Sequence, residues 1–135
     1  MNSGRVLAVD PGRDKCGLAV VGGEGATLLL EVVPRADLAS RVAEIAQAHP
    51  LTAVLVGDRT CGREVAQELA ALDLFPTPQL IPEHETTLQA RARYFRDYPP
   101  TGLRRLVPKG MLLPPRPVDD YAALVMAEAW LRQAA

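Results

Sequence analysis

Aromatic residues are scarce: one Trp, three Tyr and two Phe in 135 residues. Aliphatic side chains and Ala must therefore pack the core, and stacking on bases is not the expected device for reading a nucleic acid. Cysteine is rarer still. Cys16 and Cys61 are too few for a disulfide framework or a thiolate metal site. A reduced, cytoplasmic setting is the expectation. Neither thiol has the His and cationic surroundings of a nucleophile, since Cys16 falls in a predicted turn and Cys61 near a predicted helix start. No apolar run approaches the roughly 20 residues of a membrane span. The opening MNSGRVLAVD also lacks the charged-then-apolar pattern of a secretory leader. No membrane partner is expected.

What remains is an ordinary globular balance, 48% hydrophobic and 23% charged, in one domain's length, 1–135. The net charge of −1 hides an asymmetry. Residues 1–90 hold seven basic and twelve acidic side chains; residues 91–135 hold eight and four. Arg91, Arg93, Arg96, Arg104, Arg105, Lys109 and Arg116 face a single acid, Asp97, within their span. Such a segment suits an anionic partner such as nucleic acid, and equally a solvated face.

The hydrophobic pattern predicts strands at Val6–Val9, Leu18–Val21 and Ala26–Val33, joined by Pro-Gly and GGEG turns. Short turns make these an antiparallel meander. A helix over Leu38–Ala48 follows, with Asp37 as its N-cap. TAVLVG at 52–57 is apolar throughout and reads as a central strand covered on both faces. A helix over 63–72, a short strand Gln79–Ile81 and a helix opened by Thr86 at capping-box spacing to Gln89 come next. A loop, Tyr98–Pro117, holds six prolines and two glycines, and a last helix runs Val118–Arg132. Loops of that length inside small domains are generally functional or disordered. The order predicts an α/β domain: a mixed sheet, three antiparallel strands then βα units, with helices on its faces.

Acids sit at the ends of three elements: Asp10 after the first strand, Glu83 after QLI, and Asp119 with Asp120 at the last helix start. Singly, each has a plain structural role, as a turn former, a solvated loop acid or a partner of the helix dipole. Together they suggest convergence, with Asp10 and Glu83 at the ends of neighbouring strands and the last helix delivering Asp119. Unpaired carboxylates in one place resist joint ionisation. A hard divalent cation, Mg²⁺ or Mn²⁺, relieves that repulsion. Gly12 and Gly17 would let backbone and ligand approach closely.

AVDPGRDKCGLAVV resembles the D-x-G-x-x-x-x-G first motif of RNase H-like nucleases of the YqgF, or RuvX, branch. LVGDRTCG resembles that branch's V-G turn, IPEHETTLQAR its D-E-R-x-T-T-x-E-A-R segment, and PPRPVDDYAALVMAEAWL its closing segment. The motifs run in family order over nearly the whole chain. Pro82 and His84 replace the motif's Asp and Arg, and Ala122 stands where the larger junction resolvases carry a fourth acid. The resemblance implies an RNase H-like domain with a five-stranded mixed sheet. It implies metal-dependent phosphodiester hydrolysis with Asp10, Glu83 and Asp119 as catalytic and metal-binding residues, Asp120 being the alternative to Asp119. Its substrates would be a pre-16S rRNA precursor, a Holliday junction in DNA, or both, gripped by the basic segment. Monomer and homodimer are both compatible with it. Two other readings stay open: a non-catalytic nucleic-acid-binding module on the same fold, and a phosphotransferase of the actin and sugar-kinase group. The latter normally needs two such domains around its nucleotide.

Overall fold

The computed structural model describes residues 4–59, 61–82, 86–102, 106, 114 and 119–134. Apolar runs in the first half form β1 (Arg5–Asp10), β2 (Lys15–Gly22) and β3 (Thr27–Pro34). A 3-10 turn, Arg35–Asp37, leads into α1 (Leu38–Ala48). Then come β4 (Leu51–Gly57), α2 (Gly62–Ala70), β5 (Gln79–Ile81), α3 (Thr86–Asp97) and α4 (Asp119–Ala134). Asp37 makes no side-chain cap; the 3-10 turn takes the N-terminal position, and the Ser40 hydroxyl donates back to the Asp37 carbonyl at 3.1 Å. The capping side chain expected of Thr86 lies outside the described residues.

The five strands form one mixed sheet in the order β3-β2-β1-β4-β5. β1, β2 and β3 are antiparallel; β1, β4 and β5 are parallel. The expected architecture is present, with β1 at its centre. One expected adjacency is not: β4 lies between β1 and β5, so Asp10 and the residues after Ile81 leave from strands that do not touch. The parallel register nevertheless puts the carboxyl ends of β1, β4 and β5 on one edge. In open α/β sheets that edge is where ligands bind.

Each face of the sheet has its own core. Leu7, Val9, Leu18, Val20, Val54 and Val56 point to one side, where Val42 and Ile45 of α1 and Val65 and Leu69 of α2 cover them. Val6, Ala8, Ala19, Val21, Ala53 and Leu55 point to the other, under α3 and α4. Strand periodicity of two sends alternate residues of β1 to opposite faces, so all of Val6–Val9 is buried. α4 is apolar on most of its circumference because it lies between the sheet and α3; Tyr121, Ala122, Ala123, Leu124, Met126 and Ala127 are all buried.

Candidate metal and nucleic-acid site

Asp10 is the last residue of β1, and its register partner on β2 is Gly17. By strand alternation it follows Val6 and Ala8 onto the α4 side of the sheet. Gly17 explains how α4 reaches it. A Cβ at Gly17 would collide with the Asp119 carbonyl and the Asp120 backbone nitrogen. Without that methyl, the first turn of α4 lies directly on β2, beside the end of β1. The glycine thus serves helix-to-strand approach. Gly12 likewise closes the turn itself, since a Cβ there would strike the Lys15 carbonyl.

The turn after Asp10 is held by both cysteines. The Cys61 thiol donates to the Gly12 carbonyl at 3.3 Å and the Cys16 thiol at 3.8 Å. Cys16 lies in β2, not in the turn, and burial pushes its thiol up from the usual range.

Asp119 and Asp120 open α4, where the helix dipole favours acids. Their environments differ. Asp120 is only 4% exposed, and its Oδ1 accepts from the Tyr121 backbone N–H at 3.0 Å. Asp119 is partly exposed, yet its Oδ2 is buried with no hydrogen-bond partner among the described residues. The Lys15 ammonium stands 3.6 Å from that oxygen, beyond hydrogen-bonding distance. A buried carboxylate oxygen so poorly satisfied, beside a second carboxylate residue at the same sheet edge, fits a hard cation with oxygen preference. Among the described residues no three His, Cys, Asp or Glu form a metal-holding group. Glu83, the expected third carboxylate, lies outside the described residues.

The basic segment divides. Arg93, expected on the nucleic-acid face, is instead tied into α4. Its guanidinium bonds Asp97 at 2.6 Å and Glu128 at 3.4 Å, and its side chain is 14% exposed. Burial acts to lower its pKa, but the hydrogen bonds to Asp97 and Glu128 outweigh it and hold the value above the usual one. Asp97 also accepts from the Tyr121 hydroxyl at 2.8 Å. Burial and that bond push the Tyr121 hydroxyl well up. Tyr94 packs on Tyr121 edge to face, with centroids 5.5 Å apart. This network fixes α3 against α4 one residue after the paired acids. The i, i+4 spacing of Arg93 and Asp97 was its one signal in the sequence. Arg96 is exposed and Arg91 half-buried on α3; Arg104, Arg105, Lys109 and Arg116 lie outside the described residues, as does most of the Tyr98–Pro117 loop. A cleft of about 250 Å³, lined by Gly4, Arg5, Gly22, Gly23 and Leu28 among others, lies at the opposite end of β1 from these acids. No described helix is long and apolar enough to cross a membrane.

The class these elements define is the RNase H-like α/β domain: three antiparallel strands, a central β1 ending in Asp, parallel β4 and β5, and a last helix brought back over β1 and β2. The chain resembles the Thermus thermophilus RuvC in complex with a Holliday junction substrate, with a TM-score of 0.59 and 22% identity over 98% of this chain and 96% of that one. It also resembles a second Thermus thermophilus RuvC structure, with a TM-score of 0.57 and 23% identity over 96% and 92% of the two chains. No protein-family profile matches the chain, and no curated protein matches it by sequence.

Proposed function

We propose that this chain is a divalent-metal-dependent nuclease for branched nucleic acid, a resolvase-type member of the YqgF/RuvX branch. The observation that carries the reading is the seating of the Asp119–Asp120 turn on Gly17, the cross-strand partner of Asp10. Asp10, Asp119 and Glu83 would hold Mg²⁺ or Mn²⁺, with Asp120 as the alternative to Asp119. The chemistry such a cation supplies when bound is Lewis-acid activation of water and phosphodiester. The chain's own work is placement: the two thiols on Gly12 fix the turn beyond Asp10, and the Arg93–Asp97–Tyr121 network fixes the start of α4. Arg91 and Arg96, with Arg104, Arg105, Lys109 and Arg116, would grip backbone phosphates without reading sequence. Arg93 is left out of that set because carboxylates already occupy it. The RuvC likeness, one neighbour being bound to a Holliday junction, favours branched DNA over an rRNA precursor.

The test is cleavage of a four-way DNA junction, a bubble and a structured precursor RNA, side by side in Mg²⁺ and in Mn²⁺. Junction cleavage is expected. Asp10→Asn should slow it by roughly 100-fold, equivalent to about 2.7 kcal/mol of activation free energy, with an unchanged melting temperature. Asp119→Asn should match it and Asp120→Asn should not; the reverse pattern moves the ligand by one residue. Full activity in Asp10→Asn removes the site. Binding without cleavage supports the non-catalytic module, and preference for RNA supports rRNA processing.

A further inference from the structure

Lys15 lies far in sequence from the basic segment 91–116, yet among the described residues its ammonium is the cation paired with the Asp119 carboxylate. Three facts about the pair conflict with a purely structural role. Its separation, 3.6 Å, leaves Asp119 Oδ2 without a hydrogen bond among the described residues although that oxygen is buried. Its lysine side chain is 48% exposed, so solvent screens the attraction and little is lost when it breaks. Its ammonium is a point charge on a flexible four-carbon stem, able to move without disturbing the backbone that carries it. Lys15 begins β2, directly after the turn that follows Asp10, so the stem pivots at the rim of the acid edge.

We infer that Lys15 is an exchangeable counter-ion for Asp119. In the metal-free protein it partly neutralises the carboxylate. When a divalent cation takes the oxygen, Lys15 is released and turns to a phosphate of the nucleic-acid backbone. It is a positioning residue, coupling metal loading to substrate grip. This rests on the nuclease reading above.

The experiment uses the full chain with Lys15→Met and Lys15→Arg. Mn²⁺ binding is measured by calorimetry without nucleic acid. Binding of a labelled four-way DNA junction is measured across a salt series, once in EDTA and once in Ca²⁺ to hold off cleavage. Removing a competing unit charge about 4 Å from the ligand should tighten Mn²⁺ binding in Lys15→Met by roughly 3- to 10-fold. In Ca²⁺ the same variant should bind the junction more weakly, with a salt slope shallower by about one. In EDTA its slope should differ less from that of wild type, because Asp119 then competes with phosphate for Lys15. Lys15→Arg should keep the phosphate contact. A loosened fold would weaken both ligands together, so opposite signs from one substitution exclude it. Unchanged Mn²⁺ affinity in Lys15→Met, or the same slope difference in EDTA and Ca²⁺, overturns the exchange while leaving the nuclease reading in place. Wild-type protein that takes up no Mn²⁺ overturns both.

Discussion

The two faces of the sheet are packed with different side chains. Under α1 and α2 the buried set is Leu, Val and Ile with one Cys, and among the described residues it contains no fully buried alanine. Under α3 and α4 it includes Ala8, Ala19, Ala53, Ala90, Ala122, Ala123 and Ala127. Both faces exclude water, but at different depths. Branched aliphatic side chains on both partners fill the space between the sheet and α1 and α2. Alanine on strand and helix together lets the backbone of α4 descend toward β1 and β2, until Gly17 is the only residue that fits beneath Asp119. Hydrophobic burial grows with area, so the aliphatic face contributes more stabilisation per residue. The alanine face gives up area and gains position. The division between stability and site placement therefore runs through the middle of the sheet.

Leu7→Ala tests the aliphatic side of that division, and its effect should be the largest. Leu7 is fully buried beneath α1 and α2. Its truncation should cost about 2–5 kcal/mol and lower the melting temperature by on the order of 10 °C. Mn²⁺ affinity of the remaining folded protein, read by calorimetry below the transition, should match wild type. A fall in affinity would mean that the two faces are coupled.

Gly17→Ala should do the opposite. One methyl against the Asp119 carbonyl must lift α4, at a cost of about 1–3 kcal/mol by the usual scale of overpacking. The loss in Mn²⁺ affinity should be out of proportion to that, roughly 10-fold or more, as when ligand support is disturbed in other metal sites. Wild-type affinity in a destabilised Gly17→Ala protein would place the carboxylates elsewhere.

The smallest effect concerns the polar seam between α3 and α4. Burial alone would raise the Asp97 carboxyl, but bonds from Tyr121 and Arg93 outweigh it and hold the group below the usual carboxylate range. A folded value below the unfolded one, about 3.9, gives stability that is present above that pH. It is lost as pH falls through the folded value. Melting temperature between pH 5 and 2 should therefore fall more steeply in wild type than in Asp97→Asn, by a few degrees only, since the side chain is 39% exposed. Parallel curves would show that the seam is not electrostatically coupled to folding.

The elements were legible in the chain's local pattern. The apolar run Val6–Val9, the all-apolar stretch at 52–57 and the spacing of Leu38, Val42 and Ile45 each carry their own periodicity. Gly, Pro and Asp mark most of the boundaries, because turn and helix-end geometry is decided within a few residues of chain. The motif order also led to the right fold class. Which ends meet was settled by packing between elements. It set β4 between β1 and β5, gave Arg93 to Asp97 and Glu128, and put Lys15 beside Asp119 across more than 100 residues of chain. Those choices depend on which surfaces bury each other and how closely, and a glycine or a run of alanines acquires that meaning only once its partner is in place.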